Sequence, residues 1–239
     1  MNEAREIFWA DYYEELSQRS EPWLDYSNDK VQAQTFGVVL SALGPAVGRR
    51  CLDVGCGFGQ LARALDAIGA AHVTGIDVTP QFIERLRQRH PSLRWEVGTL
   101  DNAELCGRLG SFDLISLVEV LQYTPVEATL RQAWSMLSPG GRLVAVVPNR
   151  DCPIVGRATA RFPGNYLPPT AAELASVGGG LEGSDGWGMQ GMFFAQDQTL
   201  NPYAVSDWTR APGFPTPPNR LAFLARKACG PASSECPSQ

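Results

Sequence analysis

Apolar positions along this chain follow two rhythms. Over residues 1 to about 48 they recur at helical spacing, in IFWADYYEEL and again in VQAQTFGVVLSAL, so two helices are expected with the pattern-breaking SEPWLDYSND between them. From residue 49 short apolar runs alternate with helical segments: RRCLDV, QLARALDAIG, HVTGID, PQFIERLRQRH, LRWEV, a polar helix near 102–109, FDLISLV, EATLRQAWSML and RLVAVVP. Strand, helix and strand repeated in this way specify a parallel sheet with helices on both faces. After Leu137, SPGG reads as a helix stop followed by a turn. Residues 150–190 are rich in Pro and Gly, with FPGNYLPPT, a short helix TAAELASV capped by Thr170, and a flexible GGGLEGSDGWG. Two later apolar runs, MQGMFFAQ and NRLAFLAR, supply the last strands. The expected fold is α/β, a doubly wound seven-stranded mostly parallel sheet whose last strand is antiparallel. Residues 1–48 form a helical lid, and residues 49–239 the core, with insertions over 150–218.

Composition narrows the function. The chain has 239 residues, 44% hydrophobic and 19% charged, ordinary for one globular α/β domain with a cap. A net charge of -5 gives no basic footprint for nucleic acid. The N-terminal 20 residues carry acids and aromatics where a secretory signal has a basic start and an apolar run, and no later run reaches the roughly 18 apolar residues of a membrane span. A cytoplasmic monomer or homodimer with no nucleic-acid or membrane partner is therefore expected. Six scattered cysteines without a C-x-x-C pair, beside two histidines, read as reduced thiols and suggest no metal site.

The chemistry concentrates in CLDVGCGFGQ, residues 51–60. In a doubly wound sheet the ligand lies at the carboxyl ends of the strands where strand order reverses, and the loop after the first strand is that place. Gly55, Gly57 and Gly59 permit positive φ and a close backbone approach, and the helix starting near Gln60 offers free N–H donors. Gly57-Phe-Gly59-Gln-Leu-Ala62 satisfies one form of the dinucleotide fingerprint, G-x-G-x-x-A. Asp53 opposes that reading, because a carboxylate at the strand end repels a pyrophosphate but suits an ammonium. Asp77, roughly 20 residues after Gly55, has the spacing of an acceptor for both ribose hydroxyls or stands before a helix that Thr79 caps better.

The ordered set D-V-G-C-G-F-G, G-I-D-V-T, F-D-L-I-S-L-V-E-V-L-Q-Y and L-S-P-G-G-R-L resembles the motifs of class I S-adenosylmethionine-dependent methyltransferases across residues 50–148. That resemblance implies a Rossmann-like methyltransferase fold, S-adenosylmethionine as cofactor and S-adenosylhomocysteine as product. It implies that Asp53 and the loop of Gly55, Cys56, Gly57 and Gly59 hold the methionine part, that Asp77 with Val78 holds the ribose, and that Leu100 or Asp101 holds the adenine. Asp101 has helix capping as its other reading.

The cofactor carries the reactive carbon and leaving group, so the protein mainly aligns the acceptor and excludes water. Glu119 and Tyr123, after the fourth strand, are the candidates for a catalytic role: Glu119 as base or polar anchor, also a cofactor contact, or as a loop-holding acceptor; Tyr123 as acceptor guide or packing residue. Some related enzymes of quinone metabolism carry acids and a histidine there and are associated with a divalent metal; Gln122 and Tyr123 stand in those places here. Trp23 and Tyr26 either close over the methionine end or dock the cap. Asn149, Arg150, Tyr166, Trp187, Met192 and Phe193 follow the fifth strand and are expected to line a small-molecule acceptor pocket. The expected function is methyl transfer to an O, N or C nucleophile of a small molecule, a secondary metabolite or sugar. The alternatives are an NAD-dependent oxidoreductase and a non-catalytic cofactor-binding regulator.

Overall fold

The structure is a computed structural model and describes residues 3–17, 29–193 and 204–230. Two N-terminal helices, α1 (Glu3–Ser17) and α2 (Asp29–Leu43), precede the alternation β1 (Arg50–Val54), α3 (Gln60–Ala67), β2 (His72–Asp77), α4 (Pro80–Arg89), β3 (Arg94–Val97), α5 (Ala103–Leu109), β4 (Phe112–Val118), α6 (Val126–Ser135) and β5 (Leu137–Pro148). Then follow α7 (Pro153–Arg161), α8 (Ala171–Gly179), β6 (Ser184–Phe193), the two-residue β7 (Ala204–Val205) and β8 (Arg220–Lys227).

The strands form one sheet in the order β3-β2-β1-β4-β5-β8-β6-β7. The first five are parallel; β8 enters antiparallel between β5 and β6, pairing Arg142 with Arg226 through Pro148 with Arg220. The expected seven strands are present, and the short β7 extends the edge beyond β6. Strand order reverses between β1 and β4, which puts the loop after β1 at the switch point.

Alternation along the strands explains why both faces are covered. In β5, Leu143, Ala145 and Val147 pack on one face while Val144 and Val146 pack on the other. The first face meets Leu105 and Leu109 of α5, Leu130 and Ala133 of α6, and Leu174 and Val177 of α8. The second meets Val39 and Leu43 of α2, Leu61 and Leu65 of α3, and Ile83 and Leu86 of α4. These pairs recur at intervals of three or four, the spacing that puts an apolar stripe on one side of a helix.

Three local expectations change. SPGG is absorbed into a long β5 that pairs Leu137 with Phe112 and shifts register before Leu114, with Gly140 at φ 75°. The GGGLEGSDGWG segment is half strand, since β6 begins at Ser184 and Gly186 pairs with Arg226. Residues 153–161 are helical, and Pro153 at its start needs no hydrogen-bond donor there. Thr170 caps α8 as expected, in a reciprocal box with Glu173. Cys51, Cys56, Cys106 and Cys152 are buried free thiols, whereas Cys229 is disulfide-bonded, which corrects the all-reduced expectation at that residue. Among the described residues no helix is long and apolar enough to cross a membrane.

Candidate active site

A cavity of about 360 Å³ opens at the carboxyl ends of β1, β2 and β4. Its floor is the glycine loop. Gly55, Gly57 and Gly59 all have positive φ (66°, 51° and 72°), a backbone path that bends the chain sharply from β1 into α3. Their surroundings differ. A Cβ on Gly55 would stand 2.3 Å from Val120 Cγ2, and one on Gly59 2.8 Å from Leu86 and Trp95, whereas one on Gly57 meets nothing within 4 Å. Gly55 and Gly57 line the cavity; Gly59 instead lets α3 pack on α4 and β3. Gly55→Ala and Gly57→Ala both incur left-handed strain of about 1–2 kcal/mol, but only the first adds overpacking, about 1–3 kcal/mol. Thermal unfolding should therefore show a larger loss of Tm for Gly55→Ala; equal losses would contradict the packing.

Two buried carboxyls flank the loop. Asp77, at the end of β2, accepts from the Gly57 N–H through Oδ2 and from the Thr79 N–H through Oδ1, each at 2.9 Å. It thereby ties the second strand to the glycine loop, and its carboxyl is raised above the ordinary range by burial, against the pull of those N–H donors. Asp53, 3% exposed, accepts at 2.8 Å from the Ser116 hydroxyl of β4, and burial pushes its carboxyl up to about 7. An acid held that high, with the Asp77 carboxyl in the same cavity, would be eased by an arriving positive charge, which relieves the cost of ionising it.

Asp53, Gly55, Cys56, Gly57, Asp77, Val78, Leu100, Asp101, Glu119 and Tyr123 all line this one cavity. Leu100 is buried beside the exposed Asp101, and the cap of α5 is Asn102, which accepts from the Leu105 N–H at 2.9 Å; Asp101 is not the cap. At the other end Glu119, on the β4 loop with φ 56°, pairs with Arg220 and accepts from Gln122 Nε2 at 3.2 Å. Tyr123 closes a single 3-10 turn at Leu121–Tyr123, and its hydroxyl meets that of Tyr13 at 2.6 Å. Burial raises both phenols, Tyr123 to about 12, so the pair stays protonated at neutral pH.

The residues expected from the segments after β5 lie elsewhere. Asn149 is buried, donating to the Pro218 carbonyl and accepting from the Asp151 N–H. Arg150 pairs with Glu173 of α8. Trp187 packs on Phe223, Met192 is wholly buried under β6, and Phe193 ends that strand. Tyr166 reaches the site indirectly, edge-on to Tyr123 at 5.7 Å. None of the six lines the cavity. Trp23 and Tyr26 lie outside the described residues.

The cavity's cover comes from side chains that sequence reasoning passed over. Trp9 and Tyr13 of α1 and Gln32 and Phe36 of α2 line it, as do Phe58 and Phe82, whose rings are 4.5 Å apart. Trp9 is 3% exposed, sits 4.3 Å from the Tyr123 ring and donates to the Asn165 carbonyl at 3.1 Å. Trp9 and Tyr13 are four apart on one helix, a spacing visible in the sequence, but which surface they cover is a tertiary fact.

These groups fit a ligand such as S-adenosylmethionine. The open side of Gly57 and the Asp77 acceptor beside it would take the ribose, the Leu100–Asp101 backbone the adenine and Asp53 the ammonium, around the glycine cradle. Bound there, that cofactor supplies an electrophilic methyl group and its own leaving group.

Residues 52–143 match the family model described as a methyltransferase domain. Curated relatives named ubiquinone biosynthesis O-methyltransferase include one from Xanthomonas axonopodis pv. citri, 35% identical over 116 residues (47% of this chain, 48% of that protein). Another, from Xylella fastidiosa, is 37% identical over 111 residues, 44% of each. The chain spans about half the length of the curated relatives it matches. Among solved structures, magnesium protoporphyrin IX methyltransferase from Synechocystis with bound S-adenosylhomocysteine superposes with TM-score 0.63 at 17% identity, covering 94% of this chain and 100% of that one. The N-methyltransferase NodS from Bradyrhizobium japonicum, also with S-adenosylhomocysteine, gives 0.61 at 20% identity over 91% and 97%. Residues 52–143 thus resemble a methyltransferase domain, and the chain has the same Rossmann-like fold as these solved methyltransferases.

Proposed function

We infer that the protein is an enzyme that transfers the methyl group of S-adenosylmethionine to a hydroxyl oxygen of a small molecule, releasing S-adenosylhomocysteine, and that it works in the cytoplasm. The observation that carries this reading is the single cavity with a glycine cradle and two buried acids at one end and a tyrosine pair under an aromatic cap at the other. Oxygen is favoured over nitrogen or carbon by the name that the curated relatives share.

In this reading Asp77 and Asp53 bind, and Glu119 anchors the acceptor wall rather than acting as a mobile base, since both its oxygens are engaged. Trp9, Tyr13 and Phe36 exclude water above the reacting atoms, and the Tyr13–Tyr123 pair aims the acceptor oxygen. Helices α1 and α2 thus act as a lid. Its closing element is α1 in this reading.

The test is a transfer assay with methyl-labelled S-adenosylmethionine against phenols, sugar hydroxyls and amines, reading S-adenosylhomocysteine released. Turnover confined to hydroxyl acceptors supports the reading. Turnover on amines alone would refute the oxygen assignment, and tight binding without transfer to any acceptor would favour a regulatory binding protein.

A further inference from the structure

A run of polar side chains begins behind the cavity at Arg220 and reaches its lining at Glu119, Tyr123 and Tyr13. Arg220, the first residue of β8, donates from Nε to Glu119 Oε1. Glu119 Oε2 accepts from Gln122 Nε2 at 3.2 Å, and Tyr123 is the next residue of the same 3-10 turn. The Tyr123 hydroxyl meets Tyr13 of α1 at 2.6 Å. The last strand is therefore linked to the N-terminal helix through three hydrogen-bonded contacts and the Gln122–Tyr123 step of the 3-10 turn.

Two features make Arg220 the anchor of this chain. Its side chain is 13% exposed and that of Glu119 10%, so removing either leaves an uncompensated charge in a nearly dry place. Glu119 is also, among the described residues, the only non-glycine residue with positive φ, a conformation that persists only where its surroundings over-determine it. Here the surroundings are the Glu119 N–H bond to the Val146 carbonyl at 2.7 Å and the ion pair across to β8.

We propose that Arg220 is a positioning residue: by fixing Glu119 it sets, through Gln122 and Tyr123, where Tyr13 of α1 stands over the acceptor end of the cavity. What the cavity binds rests on the methyl-transfer reading; the mechanical link does not. A plain structural staple between β8 and β4 would make a different prediction, because it would lower global stability without acting selectively on α1.

The experiment is amide hydrogen exchange on the full chain without ligand, comparing wild type with Arg220→Gln, Arg220→Lys, Tyr13→Phe and the Arg220→Gln/Tyr13→Phe double variant. Arg220→Gln and Tyr13→Phe are each expected to speed exchange over residues 9–15 about fivefold more than in β1 and β4 of the same variant, the loss of one hydrogen bond. Arg220→Lys should recover part of the protection, and the double variant should exchange no faster than the singles. Unchanged α1 exchange in Arg220→Gln, or single effects that multiply in the double, would overturn the proposal. Should Arg220→Gln not fold, Tyr123→Phe breaks the same chain without stranding a charge, and its α1 exchange decides. Titration of wild type with S-adenosylhomocysteine keeps the two readings apart: absence of binding refutes the cofactor assignment and leaves the exchange result to judge Arg220.

Discussion

Asp77→Ala is expected to weaken S-adenosylmethionine binding about 100-fold, by removing two kinds of contact at once. In the proposed reading the carboxylate accepts from the ribose hydroxyls, and it also holds the Gly57 and Thr79 N–H groups at 2.9 Å, so its loss relaxes the cradle as well as the ligand contact. Stability should not fall in step, because burial already disfavours this carboxyl's charged form. Asp77→Asn, which keeps one acceptor oxygen, should fall between the two. Calorimetric titration of the folded variants checks this; an unchanged affinity in Asp77→Ala would remove Asp77 from the binding site.

Cofactor affinity should also depend steeply on pH through Asp53. Its carboxyl titrates at about 7 in the free protein, so an ammonium group can pair with it below that pH only by expelling a proton. The dissociation constant should rise about tenfold for each pH unit below 7, roughly 100-fold between pH 8 and pH 5, and Asp53→Asn should flatten the profile. The sign for folding is opposite. The acid's folded value lies above its ordinary 3.8, so its contribution is fully favourable below about pH 4 and is lost as pH rises through 7, a cost of about 4 kcal/mol. Ligand-free Asp53→Asn should therefore melt higher than wild type at pH 8 and nearly level with it at pH 4. A pH-independent affinity in the wild type would contradict the pairing of Asp53 with a cation.

The sheet was legible because its signals are local and periodic. The apolar runs RRCLDV, HVTGID and FDLISLV are bounded by glycines, acids and helical stripes, and the loop after the first of them falls at the switch point by topology alone. The cradle was legible for the same reason, since Asp53, the glycines and Asp77 sit at fixed offsets from strand ends.

The other half of the cavity was not, because its walls meet across long sequence separations. Arg220 stands in NRLAFLAR as one of two arginines flanking an apolar run, and nothing in that run says that it faces Glu119, 101 residues earlier. Trp9 and Tyr13 belong to a helix whose docking is decided by Tyr123, Phe162 and Asn165. The segments after β5 were expected to turn toward the acceptor. Asn149 instead joins the loop before β8, Arg150 staples α8, and Trp187 and Met192 serve the β6–β8 packing. Loop residues rich in Pro and Gly carry no periodicity that would say which way they face.

Binding of S-adenosylmethionine and S-adenosylhomocysteine to the purified protein by calorimetry, with NADH as control, tests the central claim most directly. Micromolar binding of both sulfur ligands and none of NADH is expected. Binding of NADH with silence from both sulfur ligands would contradict it, and the roles given to Asp53, Asp77 and the glycine loop would fall together.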